Sequence, residues 1–434
     1  MRVHMLISIK DAPRYSGQEV EIRGWSFNVR SSGSIAFLQL RDGSGRIQGV
    51  VVKNEVAPAD WDAAKSLTIE SSVIVTGLVK EDKRSPSGVE LQVKTVRPVA
   101  LAAEYPIGKK EHGVDFLMDQ RHLWLRSSRQ EAIMRVRDEI EFAFRDFMRQ
   151  RGFMLADSPV FTPSACEGTS DLFEVKYFDD KAYLTQSGQL YQEATSAALG
   201  KTYCFGPTFR SEKSKTRRHL TEFWMLEAEA SYMDWKENMQ LQEDLVVFTL
   251  KRVLENRHGD LAVLERNVAP LEKAAEGGFP RLSHAEAVAK LHELGSDIKP
   301  DDDFGADDET ILTKQYDKPI FIHHYPVGVK AFYMKPDPDD PRYALNDDML
   351  APEGYGEVIG GSQRIDDLKL LEQRIEDHKL PKEAFEWYLD LRRYGSVPHS
   401  GFGIGLERTV AWICGLDHVR ETIPFARTIQ RLKP

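Results

Sequence analysis

The sequence predicts an α+β protein of two domains, a small β-barrel followed by a larger domain that mixes strands and helices. Three observations support this. With 434 residues, the chain is too long for one ordinary hydrophobic core. Residues 20–99 contain short β-branched runs separated by turn formers. From residue 128 onward, helical periodicity alternates with strand-like runs. We expect a barrel domain at 1–100, a hinge at 101–127 and the larger domain at 128–434.

Composition narrows the functional class. Hydrophobic residues make up 41% and charged residues 29% of the chain, a composition typical of soluble globular proteins. The sequence has no apolar run of 18 residues and no secretory signal at its start, so we expect no membrane span. Three widely spaced cysteines argue against a disulfide framework and favour the cytoplasm. A net charge of -10 does not indicate a general nucleic-acid binder, but it allows a specific RNA partner, because affinity follows local patches of charge.

The first domain is predicted to be an OB-fold, the commonest barrel with five strands. Its runs are EVEIRGW, IAFLQLRD, RIQGVVV, SSVIVTGLV and VELQVKTV. Phe37 lies in mid-strand, with Arg30 before it and Gln48 on the next strand. Such an aromatic side chain either stacks on unpaired bases or belongs to the barrel core, and this segment alone favours neither.

The larger domain is predicted to begin with a long helix. Ser128 and Glu131 fit a capping box at its start. Apolar residues then recur at helical spacing, at Ile133, Val136, Ile140, Phe144 and Phe147. Pro159 and Pro163 follow in a strand-like run, which suits an edge strand. This pair of elements either forms a dimer seam or packs on its own domain.

The most informative stretch runs from 205 to 229, where two strands are joined by a basic loop. Alternation in the second strand puts Phe223, Met225, Glu227 and Glu229 on one face. Buried charge is costly unless it is paired or used. A solvated face is the alternative, but it has no need of Phe223 and Met225. We therefore predict a ligand-binding floor beneath a loop that closes over a polyanion.

Other stretches supply further candidate residues. Ser187 and Gln189 lie where a strand turns into a helix, a common place for small ligands, although an ordinary turn would look the same. Asp347, Asp348 and Glu357 offer the hard oxygens that Mg²⁺ prefers. Residues 259–318 read as an insertion whose acidic run, 301–309, is predicted to be a solvated surface.

Glycines alternate near the end of the chain, at Gly401, Gly403 and Gly405, which clears one face of a strand for a flat ligand. Arg408 then opens a helix. The spacing is not the GxGxxG dinucleotide fingerprint, and the GK[ST] of a P-loop is missing.

Together these stretches resemble the class II aminoacyl-tRNA synthetases over nearly the whole chain. Residues 128–159 resemble the first motif of that family, which forms its dimer interface. TFRSE with RRHLTEFWMLEAE resembles the second motif, and GFGIGLER resembles the third. With an OB barrel in front, the resemblance is to the subgroup for aspartate, asparagine and lysine. It implies a mixed, mainly antiparallel sheet flanked by helices, and a homodimer.

Within the subgroup, SGQLYQE and GEVIGGSQR look most like the asparaginyl branch. Aspartyl enzymes carry QSPQLYK, whose lysine pairs with the substrate carboxylate. Here Gly188 replaces the proline and Gln192 replaces the lysine. Glu227, where bacterial aspartyl enzymes have aspartate, would accept from the carboxamide nitrogen of asparagine. Arg364 would donate to the carboxamide oxygen.

The resemblance also implies the roles of individual residues. Asparagine would be bound by Glu167, Ser187, Gln189, Arg210, Glu227 and Arg364. ATP would be bound by Arg210, Glu212, Arg218, His219, Phe223, Glu357, Gly405 and Arg408. The catalytic cations would be Arg210 and Arg408, and Asp348 and Glu357 would hold Mg²⁺. The anticodon of tRNA(Asn) would be bound by Arg30, Phe37 and Gln48.

The expected reaction is the ATP-dependent attachment of L-asparagine to tRNA(Asn) through an asparaginyl-adenylate, with release of AMP and diphosphate. An aspartyl-tRNA synthetase of relaxed specificity is the alternative. A related enzyme that makes asparagine by adenylating aspartate would be expected to lack the barrel.

Overall fold

The computed structural model describes residues 4–85, 87–108, 110–163, 166, 172–214 and 216–434. The predicted ligand Glu167 lies outside the described residues. The chain divides into two compact units, Met1–Leu117 and Met118–Pro434, and each is described here by itself. Within the described residues, no helix is both long enough and apolar enough to cross a membrane.

The first unit is a closed barrel. Its strands are β1 (Met5–Leu6), β2 (Glu19–Ser32), β3 (Ile35–Arg41), β4 (Arg46–Val52), β5 (Ser71–Glu81) and β6 (Val89–Ala100). They pair in the order β1-β2-β3-β4-β6-β5, and an additional pairing between β2 and β5 closes the barrel. The helix α1 (Pro58–Ser66) and the 3₁₀ helix Ile9–Tyr15 complete it. The five predicted strand runs correspond to β2 through β6, so the barrel prediction is confirmed.

The barrel core is built by strand alternation. In β3, Ala36, Leu38 and Leu40 are buried inside the barrel together with β-branched residues of the other strands. Phe37 points to the opposite face and is only half-buried. The core alternative for Phe37 is therefore wrong.

The second unit contains the remaining elements of the chain. Its helices are α2 (Val114–Asp119, beginning in the first unit), α3 (Arg121–Trp124), α4 (Ser128–Gln150), α5 (Gln189–Leu199), α6 (Trp235–Asn256), α7 (His258–Val263), α8 (Ala269–Ala274), α9 (His284–Glu293), α10 (Ala306–Thr313), α11 (Leu368–Asp377), α12 (Glu386–Arg393) and α13 (Leu406–Cys414). Its strands are β7 (Met154–Leu155), β8 (Phe161–Thr162), β9 (Glu174–Tyr177), β10 (Asp180–Leu184), β11 (Lys201–Phe209), β12 (Glu222–Ser231), β13 (Arg281–Ser283), β14 (Ile320–His323), β15 (Asn346–Ala351), β16 (Gly356–Gln363) and β17 (His399–Gly405).

One large, mainly antiparallel sheet organises this unit, in the order β13-β14-β15-β16-β17-β12-β11-β7. The predicted hairpin of the informative stretch is the pair β11 and β12. Strand β17 lies between β12 and β16, so the glycine-rich strand and the acidic strands become neighbours of the hairpin. Residues that are far apart in sequence thus face one side of a single sheet.

Helix α4 buries the predicted apolar stripe, because Ile133, Val136, Ile140 and Phe144 are all fully buried. The predicted cap is off by one residue. The N-cap is Ser127, whose side chain accepts from the backbone amide of Gln130 at 3.3 Å. The local signal was ambiguous because two serines stand side by side before the helix.

Candidate active site

A cavity of about 760 Å³ opens on the sheet of the second unit. It is lined by residues from β12, β15, β16, β17 and the loop between β11 and β12. Asp347, one of the three acidic residues offered for Mg²⁺, is fully buried and does not line the cavity, so that candidate is wrong. The other described residues of this unit that the sequence nominated for asparagine, ATP or metal lie on the cavity wall. These are Ser187, Gln189, Arg210, Glu212, Arg218, His219, Phe223, Glu227, Asp348, Glu357, Arg364, Gly405 and Arg408.

The predicted glycine-rich strand is β17, and at two of its glycines neighbouring side chains leave no room for a Cβ. A Cβ on Gly403 would lie 2.6 Å from Met225 Cε, and one on Gly401 would lie 2.0 Å from Glu229 Oε1. At Gly403 the end of the Met225 side chain would have to move, whereas at Gly401 the Cβ would also lie 2.3 Å from the backbone oxygen of Ala228 and would displace strand β12. At Gly405, a Cβ would meet nothing within 4 Å, so this glycine borders open space.

At one end of the cavity, Glu227 is held by donors from the turn before α5. The hydroxyl of Ser187 donates to Glu227 Oε1, and the backbone N–H of Gly188 donates to Oε2 at 2.8 Å. The thiol of Cys204 lies 3.7 Å from the same oxygen. These donors fix the orientation of the Glu227 carboxylate at this end of the cavity.

Arg364 follows β16 and forms a buried ion pair with Glu229. Its Nη2 donates to Glu229 Oε1 at 2.5 Å and its Nε donates at 3.1 Å, while Nη1 donates to Ser362 Oγ at 2.7 Å. Burial raises the pKa of Glu229, whereas the guanidinium of Arg364 in contact with it favours the ionised carboxylate. The guanidinium is thus oriented and paired by Glu229. The sequence analysis placed Glu229 on the ligand-binding floor, but this residue is fully buried and does not line the cavity, so that part of the prediction is wrong.

A second buried network lies behind these residues, around Glu193 of α5. Its carboxylate accepts from Tyr388, Arg392 and His399 at 2.7, 2.7 and 2.8 Å. Burial opposes ionisation, but Arg392 and His399 hold the pKa of Glu193 below its usual value. The amide of Gln189 also donates to Glu193, at 3.2 Å, which fixes this predicted asparagine ligand.

At the other end, the two predicted metal ligands are each paired with a cation. Lys330 Nζ donates to Asp348 Oδ2 at 2.8 Å, and Arg408 Nη1 donates to Glu357 Oε2 at 3.1 Å. Burial raises the pKa of Asp348 to about 6, with Lys330 acting in the opposite direction. The Oε1 of Glu357 and the Oδ1 of Asp348 lie 3.4 and 3.6 Å from the Cβ position of Gly360. The two carboxylates therefore face the same space.

The acidic run predicted as a solvated surface reaches into this end of the cavity, so that prediction is wrong for part of it. Asp303 and Glu309 both line the wall. Glu309 pairs with Arg218 at 2.6 Å, and Asp303 pairs with Lys330 at 3.2 Å. The sequence analysis missed both, because a run of acidic residues does not reveal that α10 turns one carboxylate inward.

The basic loop between β11 and β12 covers the cavity. Arg210 leaves β11 with its backbone amide bonded to the carbonyl of Thr221 at 3.0 Å. His219 lies on the cavity wall and is exposed, and the pKa of its ring is lowered by partial desolvation and by the nearby Arg408. Phe223 lies on the floor and Arg408 enters from α13, so an aromatic face and a guanidinium border the same cavity.

In the first unit, the outer face of β2, β3 and β4 carries the residues nominated for tRNA. Arg30 stands directly opposite Phe37 in the ladder, and Gln39 stands opposite Gln48. Arg30 is exposed, whereas Phe37 and Gln48 are half-buried. The three side chains are on neighbouring strands of one surface.

Two family models match the chain. One, described as tRNA synthetases class II (D, K and N), matches residues 113–429. The other, described as OB-fold nucleic acid binding domain, matches residues 20–99. The chain belongs to the class II aminoacyl-tRNA synthetases. The expected fold class and the resemblance inferred from the three sequence motifs are therefore confirmed.

Other members of this synthetase family are similar over the whole chain. The asparagine–tRNA ligase of Desulforamulus reducens is 60% identical, covering 98% of this chain and 99% of that protein. The asparagine–tRNA ligase of Thermus thermophilus is 56% identical, covering 99% and 100%. The crystal structure of asparaginyl-tRNA synthetase from Pyrococcus horikoshii complexed with asparaginyl-adenylate is 44% identical, with a TM-score of 0.96 and complete coverage of both chains.

Aspartyl enzymes are also similar, at lower identity. The aspartyl-tRNA synthetase of Entamoeba histolytica is 27% identical with a TM-score of 0.84, covering 99% of this chain and 93% of that one. The shared fold therefore does not choose between the two amino acids, and the choice depends on the residues of the cavity.

Proposed function

We propose that the cavity of the second unit is the site at which the chain attaches L-asparagine to tRNA(Asn), through an asparaginyl-adenylate and with release of AMP and diphosphate. One observation carries the choice of amino acid. Glu227, held by Ser187 and Gly188, and Arg364, paired with Glu229, line the same cavity. An acceptor and a donor at one end of a cavity are what a carboxamide requires.

The charges at this end favour asparagine over aspartate. Glu229 neutralises Arg364, so Glu227 leaves a net negative charge where the substrate side chain ends. The carboxamide of asparagine donates to Glu227 and accepts from Arg364. The carboxylate of aspartate would face Glu227 without a proton between them. Unpaired buried polar groups can cost up to roughly 10⁴- to 10⁵-fold in discrimination.

The remaining residues serve the two chemical steps. In the first, the carboxylate of asparagine attacks the α-phosphorus of ATP in line and expels diphosphate. Arg210 holds the α-phosphate and the substrate carboxylate, while Phe223 and Arg408 enclose the adenine and Glu212 accepts from its amino group. Gly405 leaves room beside the nucleotide, and Arg218 and His219 contact the outer phosphates. Positioned cations of this kind lower the barrier by electrostatic stabilisation.

In the second step, the 3′-terminal hydroxyl of the tRNA takes the asparaginyl group, and AMP leaves. The α-ammonium of asparagine is held by Gln189, which Glu193 fixes, and by Glu167. This acyl transfer needs no covalent protein intermediate, because the adenylate is already activated.

Mg²⁺ fits the pair of Asp348 and Glu357, whose oxygens face the same space beside Gly360. In the described part of the chain, no group of three or more acidic, histidine or cysteine side chains is arranged to hold a metal. The pair suits a Mg²⁺ ion that takes one or two carboxylates and completes its shell with phosphate oxygens. Bound there, the ion would neutralise charge on the phosphates of ATP.

The barrel supplies recognition of the anticodon. Phe37 presents a ring on the outer face, where a base can stack, and Gln48 can hydrogen-bond a base edge. Arg30 lies opposite Phe37 and suits a backbone phosphate.

The chain also has features of a homodimer in the cytoplasm. Phe142 of α4 and Met154 of the edge strand β7 are 53% and 54% exposed, which is unusual for large apolar side chains unless a second copy covers them. The three cysteines are free and buried, which suits a reducing compartment. Sedimentation equilibrium tests the dimer: a Phe142→Glu variant should sediment as a monomer, while a wild-type monomer would contradict it.

Charging of purified tRNA tests the function. The chain should charge tRNA(Asn) with asparagine and leave tRNA(Asp) uncharged with either amino acid. Efficient transfer of aspartate to tRNA(Asp) would instead support the alternative, an aspartyl enzyme of relaxed specificity.

A further inference from the structure

We propose that Glu309, in the acidic segment of the insertion, is a positioning residue that holds Arg218 for contact with the outer phosphates of ATP. The inference rests on the proposed function and adds a role for a segment that the sequence read as plain surface. It concerns how the ATP end of the cavity is built, and it is independent of the choice of amino acid.

The contacts of Arg218 carry the inference. Its Nη1 donates to Glu309 Oε2 at 2.6 Å, and its Nη2 donates to Thr310 Oγ1 at 2.7 Å and to the carbonyl of Gly354 at 2.6 Å. Three acceptors on one wall fix the plane of the guanidinium, since its N–H groups form a rigid fork. Two of these acceptors are neighbours at the middle of α10.

The ion pair between Arg218 and Glu309 packs tightly against the backbone of β16. A Cβ on Gly356 would lie 2.1 Å from Glu309 Oε2 and 2.4 Å from Arg218 Nη1, so only glycine leaves room for the pair. Gly356 also has a φ of 75°, which glycine adopts without strain. The same Glu309 oxygen accepts from the backbone amide of Glu357 at 3.1 Å. The pair therefore connects the basic loop to the strand that carries a proposed metal ligand.

Burial determines how much the pair matters. The side chains of Arg218 and Glu309 are only 10% and 14% exposed, so water screens them little. An arginine without its carboxylate at such a place would turn toward other acceptors or solvent. Because Arg218 lines the cavity at the end that carries Asp348 and Glu357, its loss of orientation should weaken ATP binding and leave asparagine binding unchanged.

A double-mutant cycle on ATP–pyrophosphate exchange tests the role. Glu309→Ala removes the acceptor, and Glu309→Gln keeps the shape and one acceptor but removes the charge. We expect the KM for ATP to rise about five- to twentyfold in Glu309→Ala and less in Glu309→Gln, as expected for a hydrogen bond between charged groups. The KM for asparagine should stay unchanged. In an Arg218→Ala background, Glu309→Ala should add nothing further, because it acts through Arg218.

Asp307→Asn is the matched control, because Asp307 is an exposed acidic residue of the same helix turn. It should leave both KM values at those of the wild type. An unchanged or lower KM for ATP in Glu309→Ala, or effects that add in the double variant, would overturn the inference. A wild-type chain without exchange activity would instead overturn the proposed function, so the two failures are distinguishable.

Discussion

Replacing Gly188 tests whether the turn before α5 sets the selectivity for asparagine. Gly188→Pro removes the backbone N–H that donates to Glu227 at 2.8 Å. Gly188→Ala keeps that N–H. Both variants add a Cβ, which would lie 2.7 Å from Ser158 Oγ and 2.8 Å from Cys204 Sγ, so this crowding is common to both. The φ of Gly188 is -86°, close to the range that proline adopts, so the backbone conformation is preserved. The proline variant therefore differs from the alanine variant at the nitrogen, where the donor to Glu227 is lost and a ring carbon takes the place of the hydrogen.

The expected change in selectivity follows from the strength of the hydrogen bond that is lost. A hydrogen bond to a charged group contributes about 1.5–3 kcal/mol, and about 1.4 kcal/mol corresponds to a factor of ten. Without the Gly188 donor, the carboxylate of Glu227 is less well fixed, so it distinguishes the carboxamide of asparagine from the carboxylate of aspartate less sharply. We expect the ratio of kcat/KM for asparagine to that for aspartate to fall about 10- to 100-fold from the alanine to the proline variant.

The assay is ATP–pyrophosphate exchange with each amino acid in turn. Ser187→Ala provides an independent check, because it removes the second donor to Glu227 without adding atoms. It should reduce the same ratio. Equal ratios in the proline and alanine variants, with no change in Ser187→Ala, would refute the idea that these donors set the selectivity.

Three further outcomes are expected from single substitutions. Arg210→Ala should slow adenylate formation on the order of a thousandfold in the exchange assay, because a cation is lost at the reacting phosphate, and near-normal exchange would contradict its role. Phe37→Ala should raise the KM for tRNA(Asn) about tenfold while exchange stays normal, and Phe37→Tyr should restore it; no change in Phe37→Ala would exclude stacking. Burial, together with His324, lowers the pKa of His323 to about 4, below its usual value near 6.5. The unfolded chain therefore binds the proton first, and stability should fall as the pH drops from 6.5 to 4. Urea unfolding at pH 7 and pH 5 should show a smaller loss for His323→Gln than for the wild type; equal losses would contradict this.

Much of the site could be predicted from sequence because its residues lie on strands. The period of two in β12 placed Met225 and Glu227 on one face, and both line the cavity. The alternating glycines of β17 similarly predicted a strand face without side chains, because neighbouring atoms come too close at Gly401 and Gly403 for any residue with a Cβ. The barrel was predictable because its short β-branched runs are separated by turn-forming residues.

Other features depend on contacts between distant segments and leave no local signal. Glu229 shares the period of Glu227, yet only the fold shows that it neutralises Arg364 instead of facing the substrate. In the sequence, Glu193 is indistinguishable from the other polar residues of α5. Its partners Arg392 and His399 come from a distant part of the chain and are identified only by the fold. Glu309 was hidden in an acidic run, because ionised side chains are usually solvated and the sequence does not show which one is turned inward.

Exchange of pyrophosphate with ATP, measured on the wild-type chain with asparagine or aspartate as the sole amino acid, tests the central claim most directly. If Glu227 and Arg364 select a neutral carboxamide, exchange should be rapid with asparagine and lower by about a thousandfold or more with aspartate. Comparable exchange with the two amino acids would contradict the assignment of these residues and of the substrate.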